Sequence, residues 1–120
     1  MIKNINAEQA LQLLDSKDTF IINIVAAWCP DCTDQAENTP TFAQHFLNLD
    51  IPFYLLNVQD TKNVFISDVH QQVTELLGGR GYPRTALIKQ GVICDADNVE
   101  IISSEALQQL AEKFTAQLTD

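Results

Sequence analysis

The sequence predicts an α/β fold in which helices cover both faces of a central mixed β-sheet of four to five strands. Amphipathic segments with helical periodicity alternate with short apolar segments of strand length along the 120 residues, an order typical of a sheet packed between helices. Two late apolar segments are separated only by Gln90-Gly91, which predicts a hairpin and therefore an antiparallel pair in the sheet. No repeat, low-complexity stretch or linker interrupts this order, so we expect residues 1–120 to form a single domain.

The first half of the chain predicts a helix, a strand, a second helix and a second strand. Asn6 is a favourable N-cap for the first helix, and residues 20–26 form an apolar run that suits a strand buried on both faces. The second helix is expected over residues 30–47 with a kink at Pro40, because proline lacks the N–H group that a helix interior needs. Its inner face should carry Cys32, Ala36, Ala43, Phe46 and Leu47. Residues 51–58 predict the next strand.

The second half predicts a helix, the hairpin and a final helix. The third helix should end at Gly78-Gly79, because glycine readily takes the left-handed backbone conformation that closes a helix. Residues 85–89 and 92–95 are the expected strands of the hairpin. Ser103 or Ser104 should cap the last helix. The apolar positions of the two helices are Phe65, Val69, Val73, Leu76 and Leu77, and then Leu107, Leu110, Ala111, Phe114 and Leu118.

The charge of the chain argues against several classes of partner. Sixteen acidic residues against seven Lys and Arg give a formal net charge of −9, whereas nucleic acids and anionic membranes require clustered basic residues. The chain has no apolar run of the roughly 18 residues that a membrane span needs. The N-terminus lacks the basic and then apolar pattern of a signal peptide, so we expect a cytoplasmic location.

The three cysteines carry the clearest chemical signal. Their odd number argues against a structural disulfide framework, and Cys29 and Cys32 form a C-x-x-C motif while Cys94 stands alone. A zinc site usually needs a second such pair or nearby histidines, so we expect no metal. On its short predicted strand, Cys94 is expected to be a buried small hydrophobic residue.

The string Trp28-Cys29-Pro30-Asp31-Cys32 lies where a buried strand is expected to turn into a helix. Cys29 then falls at the N-cap and Pro30 at the first helical position, where the missing N–H costs nothing. The free N–H groups and the positive dipole end of the helix favour a thiolate at Cys29. Cys32 lies one turn deeper, within reach of a mixed disulfide formed at Cys29. The motif therefore predicts a redox pair with Cys29 as nucleophile and Cys32 as resolving thiol.

This motif, together with Tyr82-Pro83 before a predicted strand, resembles the thioredoxin family. The resemblance extends from about Asn6 to Leu118 and implies a thioredoxin-like fold, with one thioredoxin-like domain over residues 1–120. It further implies a cis Tyr82–Pro83 bond that faces the redox pair. The substrate contacts implied by the resemblance are Trp28, Pro30, Tyr82 and Pro83.

Three positions depart from the pattern of typical thioredoxins. Asn23 stands six residues before the first cysteine, where the family keeps a buried Asp that accepts the proton of the deeper thiol. Pro40 stands eight residues after Cys32 rather than the usual five. The interior of the motif is Pro30-Asp31 rather than Gly-Pro. The same Trp-Cys-Pro-Asp-Cys string resembles that of small cytosolic thioredoxin-related reductases, but those carry a longer segment before the Trp than this sequence has, so we do not assign the chain to them.

Asp31 predicts the direction of the redox chemistry. Two unit charges about 7 Å apart in a medium of dielectric about 40 repel by about 1.2 kcal/mol, so Asp31 disfavours a thiolate at Cys29. A less stable thiolate makes the dithiol form a stronger reductant. We therefore expect a protein-disulfide reductase that needs no bound cofactor. Its substrate would be a disulfide-containing protein or small molecule, and an external thiol reductase or glutathione would restore the dithiol.

Two other hypotheses stay open. A thioredoxin-fold binding module or redox sensor with little turnover fits the absence of an acid at Asn23. A zinc or iron–sulfur protein would instead use Cys29, Cys32 and Cys94 across an oligomer.

Charged residues outside the motif carry weaker signals. Arg80 and Arg84 flank the expected substrate groove, where they either steer acidic partners or form an ordinary solvated face. Asp95, Asp97 and Glu100 should lie in a solvated loop, because their spacing fits no calcium-binding loop.

Overall fold

The computed structural model describes residues 1–119, which form five strands and five helices. The strands are β1 (Lys3–Asn4), β2 (Phe20–Ala26), β3 (Phe53–Gln59), β4 (Arg84–Lys89) and β5 (Val92–Val99). The helices are α1 (Ala7–Leu14), α2 (Pro30–Ala36), α3 (Thr39–Leu47), α4 (Asp68–Leu76) and α5 (Ser104–Leu118). Within these residues, no helix has both the length and the apolar character needed to cross a membrane.

The strands form one mixed sheet in the order β1-β3-β2-β4-β5. The three strands β1, β3 and β2 run parallel, and β4 is antiparallel to both of its neighbours, β2 and β5. The α/β class, the mixed sheet and the hairpin at Gln90-Gly91 are therefore confirmed.

Strand β2 lies in the middle of the sheet and is buried on both faces. Side chains alternate across a strand, so Phe20, Ile22 and Ile24 pack toward α1 and α4, while Ile21 packs toward α3 and α5. The second core is rich in aromatic rings, with centroids 5.3 to 6.4 Å apart. These rings belong to Phe42, Phe46, Phe53 and Phe114. Helices on both faces of the sheet are thus confirmed.

The expected helix caps are present. In each, a polar side chain accepts a hydrogen bond from a free N–H group in the first turn of the helix. Asn6 accepts a hydrogen bond from the Gln9 N–H at 2.8 Å, and the Gln9 side chain accepts one from the Asn6 N–H at 2.9 Å, which completes a capping box. Ser103 caps α5 through a 3.1 Å bond from the Ala106 N–H. Ser67, which the sequence did not single out, caps α4.

The predicted single helix over residues 30–47 is wrong. The chain forms α2 and α3 instead, separated by Glu37 and Asn38, and Pro40 lies in the first turn of α3. A proline in the first turn costs no hydrogen bond, so the chain starts a second helix there rather than bending a continuous one. The break also changes the inner face, because Gln35 is buried and Ala36 is exposed.

Three other expectations at the edges of the sheet are corrected. The two-residue strand β1 was not predicted, and β5 continues to Val99 rather than ending near residue 95. Cys94 is exposed rather than buried, because β5 is an edge strand with one open face. Asp95 lies on β5 rather than in a loop, and its carboxylate pairs with the Lys113 ammonium at 2.8 Å. Asp97, also on β5, is fully solvated as expected.

Candidate active site

The redox motif lies where β2 leaves the sheet and α2 begins. Cys29 is the N-cap residue of α2, with φ −82° and ψ 116°, and Pro30 lies in the first turn, as the sequence predicted. The Cys32 N–H donates a hydrogen bond to the Cys29 Sγ at 3.2 Å. The Cys29 sulfur thus takes the place of the side-chain oxygen that usually caps a helix, and it receives the positive end of the helix dipole.

The second contact of Cys29 comes from the loop before β4. The Cys29 thiol lies 3.7 Å from the Tyr82 carbonyl oxygen and donates to it. The Tyr82–Pro83 peptide bond is cis, which confirms the expectation drawn from the resemblance. The two segments that carry the motif residues, far apart in sequence, therefore meet at the Cys29 sulfur.

Cys32 lies deeper than the helix terminus and differs from Cys29 in its electrostatic surroundings. Burial raises the pKa of the Cys32 thiol to about 12, and a hydrogen bond with the Cys29 side chain adds to the shift. The nearby charge of Asp31 acts in the same direction, though less strongly. At neutral pH, Cys32 therefore remains a thiol until a group or solvent removes its proton.

Trp28 is half-buried beside the redox pair. Its ring meets the Tyr82 ring edge-on, with centroids 6.2 Å apart, and its indole N–H donates to the Gln59 Oε1 at 2.9 Å. Gln59 is fully buried at the end of β3 and also accepts a bond from the Asn63 N–H at 3.0 Å. The sequence analysis did not single out Gln59, although a glutamine at the end of a predicted strand could have been recognised as a candidate for the site.

Asn23 anchors a buried amide network beneath Cys32. The Asn23 side chain is 1% exposed, donates to the Gln35 Oε1 at 2.8 Å and accepts from the Thr85 hydroxyl at 3.0 Å. Gln35 in turn donates to the Ile101 carbonyl at 3.0 Å. The buried position of Asn23 on the central strand is as predicted. Every group in this network is neutral, so it satisfies its own hydrogen bonds without supplying a proton acceptor.

A cavity of about 340 Å³ opens beside this network and reaches Cys32 from the side of α3. Its polar lining comes from Asn23, Thr33, Gln35 and Thr39. Apart from Cys32 itself, no ionisable side chain from the described part of the chain lines it. The described lining of the cavity therefore offers the Cys32 proton no carboxylate or imidazole as an acceptor.

The two arginines near the groove differ from each other, and only Arg84 departs from the expectation. Arg84 is buried, at 5% exposure, and donates to the Ala96 carbonyl at 2.7 Å and to the Arg80 carbonyl at 3.1 Å. It therefore neither steers partners nor forms a solvated face, since its guanidinium ties β5 to the loop that carries Arg80. Arg80 is exposed, and its guanidinium lies 5.4 Å from the centre of the Phe65 ring.

Cys94 does not join the redox pair. On β5 its neighbour Ile93 pairs with Ile88, which pairs with Phe20 at the start of β2, whereas Cys29 follows the end of β2. The length of a strand therefore separates Cys94 from Cys29. Among residues 1–119, no group of three or more His, Cys, Asp or Glu side chains is arranged to hold a metal ion.

Comparisons with known proteins identify the architecture. No model of a known protein family and no curated protein matches the sequence. The structure is similar to the thioredoxin of Fasciola hepatica, with a TM-score of 0.67 and 16% identity over 95% of this chain and 97% of that chain. For spinach chloroplast thioredoxin f (long form), the TM-score is 0.68 at 15% identity, covering 96% and 84%. For the oxidised thioredoxin of Plasmodium falciparum, it is 0.64 at 20% identity, covering 95% and 98%.

The chain has the thioredoxin fold. Sequence identities of this size show the fold alone, so the chemistry of the site rests on its own residues. Within the thioredoxin fold, the Cys29 sulfur contacts the Cys32 N–H and the Tyr82 carbonyl. Trp28 packs against the Tyr82 ring, Pro83 follows Tyr82 through the cis bond, and Pro30 is exposed in the first turn of α2. Cys94 and Arg84 lie outside this group.

We expect the Cys32 thiol to be alkylated at least about 10-fold more slowly than the Cys94 thiol at pH 8, because Cys32 is buried and remains protonated. Its rate should rise with pH toward its raised pKa. Mass spectrometry of peptides from reduced protein treated with iodoacetamide measures both rates in one sample. In guanidinium the two thiols should react equally. Equal rates in the native protein would contradict the assignment of Cys32 as a buried thiol.

We expect Asn23→Asp to speed the attack of Cys32 on a mixed disulfide, because the new carboxylate supplies an adjacent proton acceptor. The same change should lower the free energy of unfolding by about 1–3 kcal/mol, since it buries an ionisable group among amides. Single-turnover thiol release and urea denaturation measure the two effects. Asn23→Leu is the control, because it removes the amide without adding an acid and should destabilise the protein without faster release. Faster release in both variants would exclude proton acceptance as the cause.

Proposed function

We propose that this protein is a thiol–disulfide oxidoreductase that reduces substrate disulfides, with Cys29 as the nucleophile and Cys32 as the resolving thiol. The observation that carries the proposal is the position of the Cys29 sulfur at the N-terminus of α2. There it accepts the Cys32 N–H at 3.2 Å and lies 3.7 Å from the Tyr82 carbonyl. A sulfur held in this way receives a hydrogen bond and the helix dipole, both of which favour its anionic form.

In the first step, the Cys29 thiolate attacks one sulfur of the substrate disulfide. A bond forms between Cys29 Sγ and that sulfur, the substrate S–S bond breaks, and the other substrate sulfur leaves as a thiolate that takes up a proton. Trp28 and Pro30 flank Cys29 in the sequence, and Trp28 is half-buried while Pro30 is exposed. Together with Tyr82 and Pro83 they form the surface that we assign to the substrate.

In the second step, Cys32 loses its proton and attacks the Cys29 sulfur of the mixed disulfide. The Cys29–Cys32 bond forms, and the second substrate sulfur leaves and takes up a proton. Because the Asn23 network is neutral, the proton of Cys32 passes to solvent rather than to a side chain. Burial raises the pKa of the Cys32 thiol, so we expect the loss of its proton to slow this step.

We further propose that the reaction runs in the reducing direction and takes place in the cytoplasm. Asp31, in the first turn of α2, repels a negative charge on Cys29 and so offsets part of the stabilisation that the helix gives to the Cys29 thiolate. A less stable thiolate favours a reducing couple. An external thiol reductase or glutathione would return two electrons to the Cys29–Cys32 disulfide. A reducing couple of this kind suits the cytoplasm, which we propose as its location.

A second candidate function is a binding module or redox sensor with the thioredoxin fold and little turnover. The neutral network around Asn23 favours it, because a slow second step leaves the partner attached to Cys29 for longer. The two candidates share the first step and differ in the rate of the second.

We expect Cys32→Ser to accumulate a covalent complex through Cys29 when it meets a disulfide substrate such as insulin, because the resolving thiol is absent. Non-reducing electrophoresis detects the complex, and turbidity from released insulin chains measures turnover. The wild type should turn over, whereas Cys29→Ser should do neither. Cys94→Ser is the matched control and should behave as the wild type, since Cys94 is exposed on β5. A wild type that forms the complex without turnover would favour the sensor, and no complex in Cys32→Ser would refute both candidates.

We expect the redox potential of the pair to lie at or below the cytosolic glutathione poise of roughly −220 to −260 mV. Removing the charge with Asp31→Asn should raise it by about 25 mV, the equivalent of about 1.2 kcal/mol for a two-electron couple. Equilibration with glutathione followed by thiol alkylation gives both values. Asp34→Asn removes the same charge farther along α2 and should change the potential less. A wild-type potential near about −150 mV would instead indicate an oxidant.

A further inference from the structure

Two exposed cations, Lys62 and Arg80, each lie over an aromatic ring on segments that contact the redox pair. The Lys62 Nζ is 5.4 Å from the centre of the Trp28 ring, and the Arg80 Cζ is 5.4 Å from the centre of the Phe65 ring. Trp28 directly precedes Cys29, and Arg80 lies two residues before Tyr82, whose carbonyl contacts the Cys29 sulfur. Within residues 1–119, neither cation forms an ion pair with a carboxylate. Both therefore keep their charge available to a partner.

Given the proposed reduction of disulfides by Cys29 and Cys32, we infer that Lys62 and Arg80 select protein substrates with acidic residues beside the reacting cysteine. The four residues Lys62, Arg80, Trp28 and Phe65 form what we call the cationic rim. An acidic side chain next to the substrate cysteine would meet the rim while the cysteine sulfur meets Cys29. Substrates with basic residues at that place would be disfavoured by like charge.

The turn that carries Lys62 is held in place by backbone hydrogen bonds. The Val64 N–H donates to the Thr61 carbonyl at 3.0 Å, and the Ile66 N–H donates to the Val58 carbonyl at 3.0 Å. These bonds tie the turn to itself and to β3. A cation on an anchored turn loses less conformational freedom on binding than one on a mobile loop.

Gln59 links this turn to the redox pair. Its Oε1 accepts bonds from the Trp28 indole at 2.9 Å and from the Asn63 N–H at 3.0 Å. One buried amide thus positions both the ring beside Cys29 and the turn that places Lys62 over that ring. On the Arg80 side, the buried Arg84 guanidinium holds the Arg80 carbonyl at 3.1 Å. Both halves of the cationic rim are therefore fixed by the interior of the protein.

The charge of the rest of the molecule makes the cationic rim distinctive. The chain carries sixteen acidic residues against seven basic ones, so an acidic partner meets repulsion over most of the surface. Asp31 lies in the first turn of α2, two residues after Cys29, and Asp60, which precedes the Lys62 turn, accepts a bond from the Asn57 amide at 2.7 Å. A substrate acid is attracted by Lys62 and Arg80 and repelled by Asp31, and this difference orients the substrate.

Three peptides that share one disulfide and differ only by Glu, Gln or Lys beside the cysteine test this inference. The rate constant of each with the reduced full-length protein is divided by its rate constant with 2-mercaptoethanol, which removes intrinsic differences in disulfide reactivity. We expect the Glu peptide to react about 3- to 10-fold faster than the Gln peptide, and the Lys peptide to be the slowest, since two exposed ion pairs contribute modestly each.

The double variant Lys62→Gln, Arg80→Gln should bring the ratio of Glu to Gln peptide close to 1. Lys17→Gln is the matched control, because Lys17 is exposed before the start of β2, at the end of the sheet opposite Cys29, and it should keep the ratio. Equal corrected rates for all three peptides, or a preference that survives the double variant, would overturn this inference and leave the disulfide chemistry intact. No reaction with any peptide would overturn the proposed function, and the inference with it.

Discussion

Strand β2 runs through the middle of the sheet with partners on both edges and helices on both faces, and the position of the active-site residues follows from where it ends. Burial on both faces fixes its register, because a shift by one residue would exchange its two sets of side chains. The strand ends at Ala26, and three residues later Cys29 caps α2. The same end of the sheet receives the loop before β4. The packing of β2 in the core therefore places the Cys29 sulfur at the start of α2 and brings the Tyr82 carbonyl next to it.

The same strand buries a polar residue, Asn23, in the interior of the protein. Asn23 lies at the centre of β2 between β3 and β4, and a polar group buried there without partners would cost several kcal/mol. Gln35 and Thr85 satisfy it, so the interior is stable without an ionisable group. The consequence appears at the adjacent thiol. The fold supplies Cys29 with a hydrogen bond and a dipole, whereas it supplies Cys32 with burial and no proton acceptor.

Elements with strong local signals could be predicted from the sequence, and those decided by tertiary context could not. The caps at Asn6 and Ser103, the buried run of β2 and the N-cap position of Cys29 follow from short-range rules, and they were confirmed. The exposure of Cys94 depends on which strand lies at the edge, and the burial of Arg84 depends on backbone carbonyls of β5 and of the loop that carries Arg80. Local periodicity predicts neither of these facts. The position of Gln59 at the end of a predicted strand was visible in the sequence, but its contact with the Trp28 indole, 31 residues away, was not.

Identities of 15–20% with thioredoxins of the same fold indicate which properties of the sequence the architecture requires. The alternation of buried side chains, the caps and the break before α3 depend on classes of residue, and many sequences satisfy them. The chemistry depends on single atoms: the Cys29 sulfur, the Tyr82 carbonyl and the amide of Asn23. A change of one carboxylate to an amide at position 23 leaves the fold in place, because amide partners can satisfy the amide. It alters the site, because an amide, unlike a carboxylate, cannot take the proton of Cys32. The hydrogen bonds of Asn23 therefore stabilise the fold, whereas its lack of an ionisable group bears on the second step of the mechanism that we propose.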